Sequence, residues 1–394
     1  MHPRLILILG ALSAFGPLAV DFYLPSFPTL ARVFATDVEH IQLSLAAYFA
    51  GLAIGQLAYG PLADRYGRRL PLLFGVGLFS LASIGCALAE SLEALIVARF
   101  VQALGGCAGM VVSRAVVRDL CDPVNAAKAF SQLMLVMGVA PILAPLAGGL
   151  LLAQFGWASI FVCLTLFSAL VGLALAFWLP ETLSPHEPRQ PLRGTLGRYL
   201  SLLRDREFLA YGLSGGVAMS GMFAYIAGSP FVFIELYGVP AEHYGWLFGS
   251  NAAGFILAAQ VNARLMRYGG PGFWLRRIVW LHAASGVALL VLTLLKPAAL
   301  WPLLVPLFIS IATLGCIIPN ASACSMAKQG HQAGSASALM GSLGFCVAAG
   351  ASALVGLLHD GSAVPMALVI TLCGLVAAVL AWYSGQLETS TARA

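Results

Sequence analysis

Apolar runs of about twenty residues, separated by short polar stretches, recur along almost the whole 394-residue chain. A helix needs about 20 residues to cross the hydrocarbon core of a bilayer. Twelve such runs can be laid out: 5–27, 42–64, 70–89, 93–114, 127–152, 157–179, 208–235, 245–265, 275–296, 299–320, 332–357 and 363–384. The pattern predicts an all-α polytopic membrane protein with twelve transmembrane helices in two six-helix halves. One long polar connection, rich in proline and arginine (Arg189, Arg193, Arg198, Arg204, Arg206), separates the sixth run from the seventh. It divides the chain into an N-terminal bundle, 1–179, a linker, 180–207, and a C-terminal bundle, 208–394.

Composition narrows the class. Hydrophobic residues make up 60% and charged residues only 9%, against about 25% charged in soluble domains, which excludes a soluble fold. The 42 glycines suit helices that pack closely through small residues. The net charge of +5 is a topological signal and implies no nucleic-acid partner. With the N-terminus inside, only Arg32 and Lys296 of the 21 lysines and arginines fall in outer loops and only Arg99 within a span. The rest lie on the cytoplasmic side, as retention of positive charge inside requires. Both termini are therefore expected in the cytoplasm. Met1-His-Pro-Arg4 and the run after it lack a small-residue cleavage site and are taken as span 1. The eight cysteines show no ligand spacing and serve as small buried hydrophobes. No phosphate loop, metal constellation or nucleophile triad is present, so neither an enzyme nor a cofactor is expected.

The stretch Gly60-Pro-Leu-Ala-Asp64-Arg65-Tyr-Gly67-Arg68-Arg69 joins two spans through a loop too short to do anything but return the chain on the same face. Gly67 suits a positive-φ turn and Gly60 a close backbone approach. Asp64 ends a helix, where the macrodipole disfavours an anion. Arg65, Arg68 or the N-terminus of another helix must compensate it. Span 11 begins on the same face near Gln332-Ala333-Gly334. Asp64 either meets it in a contact between halves that breaks in each cycle, or belongs to a permanent solvated network. The second half echoes the first: Tyr268-Gly269 matches Tyr66-Gly67, Arg267 matches Arg65, and Arg264, Arg276 and Arg277 rebuild a basic loop. Met266 stands where an acid would.

Asp21 is the only acid deep in an apolar run and Arg99 the only base so placed. Each lies six residues from an outer span end (Phe27, Glu93), roughly 9 Å inward at 1.5 Å per residue, so the two can pair. Intramembrane charges are costly and face a partner or a polar interior. The pair is either structural or contains a carboxylate that exchanges a proton; Glu235, near the outer end of span 7, reaches water. Span 5 carries Gly138, Pro141, Pro145, Gly148 and Gly149, which favour a bend and a close neighbour. Gln56, Gln102, Asn251, Gln260, Asn320 and His282 either line a cavity or bond between helices, and Tyr23, Tyr48, Phe223 and Tyr225 offer an apolar wall or ordinary packing.

The 60–69 loop closely resembles that between spans 2 and 3 of the major facilitator superfamily. Together with Asp21-Phe-Tyr-Leu-Pro25, Arg99-x-x-Gln102 and the Pro141/Pro145/Gly148-Gly149 helix, it resembles the twelve-span drug/proton antiporters, and most of all their Bcr/CflA branch of bicyclomycin and chloramphenicol resistance exporters. Gly221-Met-Phe223, Ser229-Pro-Phe-Val232 and Ala333-Gly-Ser-Ala-Ser337 agree with it. The departures are small: Ala103 and Ala144 replace glycines, and Gly156-Trp157-Ala158 opens span 6. The resemblance implies the major facilitator fold in the bacterial inner membrane and export of small, largely apolar compounds such as antibiotics. It also implies the proton gradient as energy source, coupling at Asp21 and Arg99, gating at Gly60, Asp64, Arg65, Gly67, Arg68 and Arg69, and antiport through the span 5 motif. A small molecule, protons and the bilayer are the expected partners of a monomer. Export or import of an endogenous metabolite is the alternative on the same fold. A membrane enzyme or sensor would need a catalytic cluster or a soluble domain, and a channel a repeated filter pattern.

Overall fold

The computed structural model describes residues 3–121, 123–183, 194–329 and 333–391. Fourteen helices follow one another: α1 (Pro3–Asp21), α2 (Phe27–Val33), α3 (Val38–Tyr66), α4 (Arg69–Ala87), α5 (Leu92–Leu120), α6 (Pro123–Phe155), α7 (Ala158–Trp178), α8 (Thr195–Arg204), α9 (Arg206–Pro230), α10 (Ala241–Leu265), α11 (Pro271–Leu294), α12 (Trp301–Met326), α13 (Ala333–Leu357) and α14 (Val364–Thr391). Among the described residues, ten stretches are long and apolar enough to cross a membrane. The two remaining long helices, α6 and α10, run 33 and 25 residues. With α2 continuing α1 and the short α8 lying between the halves, twelve helices make up the bundle. The end of the bundle that carries the 60–69 loop is its basic end.

Within the first six, α3 packs on α5, α4 on α5 and α7, and α1 on α5 and α6. Each contact recurs in the second six: α10 on α12, α11 on α12 and α14, and α9 on α12 and α13. The two sets meet along two seams, α3 against α13 and α6 against α10. Exchanging the halves exchanges the seams, which is the arrangement of parallel repeats about an axis along the membrane normal.

Small residues set the spacing. A side chain at Gly105 of α5 would stand 2.6 Å from the Gly75 carbonyl oxygen of α4, so only glycine lets these backbones meet. Gly67 turns the chain between α3 and α4 at φ 88°, a conformation cheap only for glycine.

The helix ends depart from the expected spans in two places that matter. Span 1 is not one helix through Phe27: α1 stops at Asp21, a 3₁₀ turn covers Leu24–Ser26, and α2 resumes at Phe27. Pro25 and Pro28 donate no backbone hydrogen bond and disfavour the helical conformation before them. Span 4 does not end at Arg114, since α5 continues to Leu120. By contrast, α6 continues through Pro141 and Pro145.

Candidate functional site

Asp21 ends α1 beside the break and is 3% exposed. The chain beyond it, Tyr23-Leu24-Pro25-Ser26, is wholly buried. The turn at Leu24–Ser26 packs against α6 of its own half and against α9 and α10 of the other. The carboxylate therefore stands at the junction of the halves, on the end opposite the basic loop.

Arg99 is fully buried but is not joined to Asp21 by an ion pair. The expected equal depth assumed a helix running on to Phe27. Because α1 stops at Asp21, Tyr23 takes the place beside the guanidinium. The Arg99 guanidinium carbon lies 4.7 Å from the Tyr23 ring centre, 4.3 Å from that of Tyr48 and 5.9 Å from that of Phe161. Its Nη1 donates to Gln102 Oε1 at 2.5 Å, and Gln102 Nε2 donates to Ser83 Oγ at 2.7 Å. Tyr23 is itself fixed by a 2.8 Å hydroxyl contact with Ser44. Cation–π contacts hold the charge where water is excluded. Arg99 Nε and Nη2 and the Tyr48 hydroxyl make no hydrogen bond among the described residues.

An aromatic layer closes the space between halves. Phe49 of α3, Phe223 of α9 and Phe345 of α13 meet with ring centres 4.3 to 6.5 Å apart. Tyr225 stacks on Phe248 and accepts from Asn251 Nδ2 at 3.1 Å. Gln56 packs against Gly341 at the α3–α13 seam.

The proline–glycine stretch of α6 links these features. A side chain at Gly148 would collide with the Phe22 backbone, one residue beyond Asp21. Gly149 faces the Ala241 carbonyl of α10, and Leu146 and Ile142 face Gly245 and Gly249. Pro145 is buried between them and Pro141 partly so. The side-chain environment of Gly138 lies outside the described residues. One helix thus touches both the break after Asp21 and the seam to the other half.

At the basic end, Arg68 is 3% exposed and bridges two acids, Asp64 at 2.6 Å and Asp119 at 2.8 Å. Burial works against its charge, but the bonds to Asp119 and Asp64 more than offset this and hold it protonated. Glu181 accepts from the backbone N–H groups of Arg68 (2.8 Å) and Arg69 (3.2 Å) at the start of α4, and from those of Thr182 and Leu183. Partial burial pushes its carboxyl up, yet these four donors prevail and hold it below the usual carboxylate range. Arg69 Nη2 donates to the Ala176 carbonyl at 2.5 Å. The described partner of Asp64 is thus Arg68. The start of span 11 at Gln332 lies outside the described residues, as does the Ala333 side chain. Arg65 lies over the Tyr66 ring. Gly60 serves no close approach, since a side chain there would meet nothing within 4 Å.

Other polar candidates prove to be packing elements. His282 Nδ1 contacts the Ser310 carbonyl and Thr313 hydroxyl between α11 and α12, each at 3.0 Å. Asn320 and Asn262 exchange amide bonds at 2.8 and 3.2 Å. Gln260 is exposed, as is Glu235. Sequence reasoning missed Phe49, Phe345, Asp119 and Glu181. The two acids had a signal, each standing just where an apolar run ends on the basic side; the phenylalanines had none. It also passed over Arg114, which lies inside α5 with its side chain exposed.

The Major Facilitator Superfamily profile matches residues 7–353. An uncharacterized MFS-type transporter, YdgK of Bacillus subtilis, is 40% identical over 378 residues, covering 94% of this chain and 93% of that protein. The bicyclomycin resistance protein homolog of Haemophilus influenzae is 33% identical, covering 96% and 95%. Multidrug resistance protein D of Escherichia coli is 31% identical over the same shares. Two crystal structures share the fold at low identity. A bacterial homolog of the human lysosomal transporter Spinster, inward-facing and unoccupied, has TM-score 0.74 at 14% identity and covers 98% of both chains. A peptide transporter, POT, in complex with sulfate has TM-score 0.75 at 16% identity, covering 100% of this chain and 96% of that one. With the packing of solved transporters in both its halves and the superfamily profile along most of its length, this multi-pass membrane protein belongs to the Major Facilitator Superfamily.

Proposed function

We propose that the protein is a proton-driven exporter of small, largely apolar compounds, antibiotics among them, in the bacterial inner membrane. Both termini and the basic end then face the cytoplasm. The halves 1–179 and 208–394 move as units, and the protein carries out no covalent chemistry. The names of relatives covering nearly the whole chain, a bicyclomycin resistance homolog and multidrug resistance protein D, support this substrate class. The Phe49, Phe223 and Phe345 layer supplies a matching apolar wall.

One observation carries the mechanism: a buried carboxylate, Asp21, stands at a helix break where the two halves meet. A charge in so dry a place is costly, and a proton removes that cost. Protonation of Asp21 therefore changes how well the halves pack around it. The proline–glycine face of α6 carries the change to the α10 seam. Arg99, held against Tyr23 two residues beyond Asp21, fixes the chain at the break and is a positioning residue. The contacts of the Leu24–Ser26 turn with α9 and α10, and of Gly149 with Ala241, support a state closed toward the outside.

The test is substrate-induced proton release from purified protein in detergent, run beside efflux in a pump-deficient host with and without a protonophore. Wild type should release protons and lose efflux with the protonophore. Asp21→Asn should fold, release none and fail to export. If that variant still releases protons and still drives uphill efflux, Asp21 is only a structural anchor.

A further inference from the structure

Helix α8 lies in the connection between the halves and presents two apolar flanks, one docked on protein and the other left substantially exposed. Leu202 is fully buried with Phe208 of α9 and Ala336 and Leu339 of α13. The Tyr199 hydroxyl donates to the Leu57 carbonyl of α3 at 3.3 Å. This flank is therefore docked beneath the α3–α13 seam. On the adjoining flank Leu196, Leu200 and Leu203, spaced i, i+4, i+7, are 70%, 45% and 42% exposed. That spacing is one continuous stripe of a helix. Arg204 and Arg206, both exposed, stand at its C-terminal end. A ten-residue helix is marginal in water by itself, and a stripe of three leucines left in water adds to the penalty.

The position of α8 says what covers the stripe. A single residue, Asp205, separates it from α9, which is long and apolar enough to cross the membrane. Asp205 caps α9 through the Phe208 N–H at 3.0 Å and accepts from Gln329 at 2.7 Å, which fixes the corner. The helix thus lies at the level where α9 enters the bilayer. We infer that the exposed flank of α8 is a docking surface for the anionic phospholipids of the cytoplasmic leaflet. The leucines enter the boundary between headgroups and acyl chains, and Arg204 and Arg206 take the phosphates. This rests on the proposed orientation, with the basic end in the cytoplasm. Because the other flank grips α3 and α13 together, lipid held on α8 biases the seam that must rearrange during transport. Transport then depends on the charge of the inner leaflet.

The test uses the full chain with a spin label at residue 200 or 201, in a background whose native cysteines are replaced and which still transports. It is reconstituted in nanodiscs of phosphatidylcholine alone or with phosphatidylglycerol. With phosphatidylglycerol, the label at 200 should favour oxygen over a water-soluble nickel chelate, and the label at 201 should show the reverse. Each arginine replaced by glutamine should weaken the phosphatidylglycerol response about fivefold. In Arg204→Gln/Arg206→Gln, the lipid dependence of transport in liposomes should largely vanish while the melting temperature stays unchanged. A chelate-accessible label at 200 in both discs overturns the proposal. So does a short dipolar distance between labels on two copies, which would assign the flank to a second copy of this chain. Because label depth does not depend on export, failure here is distinguishable from failure of the proton mechanism.

Discussion

The two tyrosine rings around Arg99 can be separated from their hydroxyl groups by substitution at Tyr48. The guanidinium lies 4.3 Å from the Tyr48 ring centre in a site without exposure. A desolvated cation–π contact is worth about 2 kcal/mol or more. The Tyr48 hydroxyl makes no hydrogen bond among the described residues. Tyr48→Phe keeps the ring and removes only that group, so its stability should fall within about 1 kcal/mol of wild type. Tyr48→Leu removes the ring face and leaves a void, costing about 2 kcal/mol for the contact and about 1–3 kcal/mol for the void. At roughly 2 °C per kcal/mol in a chain this long, Tyr48→Leu should melt roughly 5–10 °C lower in detergent, and Tyr48→Phe close to wild type. Arg99→Leu completes the set. A buried charge often costs more than its partners return, so this variant should melt at or above wild type while losing export. If Tyr48→Phe falls as far as Tyr48→Leu, the hydroxyl and not the ring holds the site, and the cation–π argument fails. If Tyr48→Leu melts like wild type, the rings hold nothing.

Two further predictions concern the basic end. Arg68→Ala strands Asp119, only 13% exposed, so it should lower the melting temperature more than Asp64→Asn, whose carboxylate is 43% exposed; equal shifts in a thermal scan would deny the bridge its asymmetry. Glu181 is held below its ordinary pKa in the folded protein, so its contribution is present above the unfolded value of about 4.3 and is lost as pH falls through the folded value. Melting scans from pH 6 to pH 3.5 should therefore fall more steeply for wild type than for Glu181→Gln, and parallel curves would refute the capping role.

The helices were legible because crossing a bilayer imposes a length and a polarity that few other structures share. The loop at residues 60–69 was legible for a similar reason, since a positive-φ glycine and a cluster of arginines leave a local mark. The surroundings of Arg99 were not, because depth was counted along an unbroken helix. Pro25 and Pro28 were visible in the chain, but their effect on the position of Asp21 emerges only once α6, α9 and α10 close around the break. Asp64 stands at a helix end where an anion needs compensation, and Arg68, four residues on, is readable in the chain as a partner. That Arg68 would also hold Asp119, 51 positions away, is a tertiary fact. Phe49 and Phe345 look like any other apolar span residues until the two halves are brought together.

The buried guanidinium also has a consequence for how the chain is made. Arg99 and Arg114 both lie within α5, one toward each end, and a basic residue adds a cost to insertion from the translocon that rises to about 2.5–3.5 kcal/mol at the centre of a helix. A helix so burdened enters lipid poorly by itself. The preceding helix, α4, carries no charged residue after Arg69 and packs backbone to backbone with α5 at Gly75 and Gly105. It also presents Ser83 to Gln102, which in turn holds Arg99. Insertion of the two as a helical hairpin would lower that cost, because α4 partly solvates the polar groups of α5. Biogenesis, as much as transport, is a reason for the serine on α4 to face the glutamine on α5.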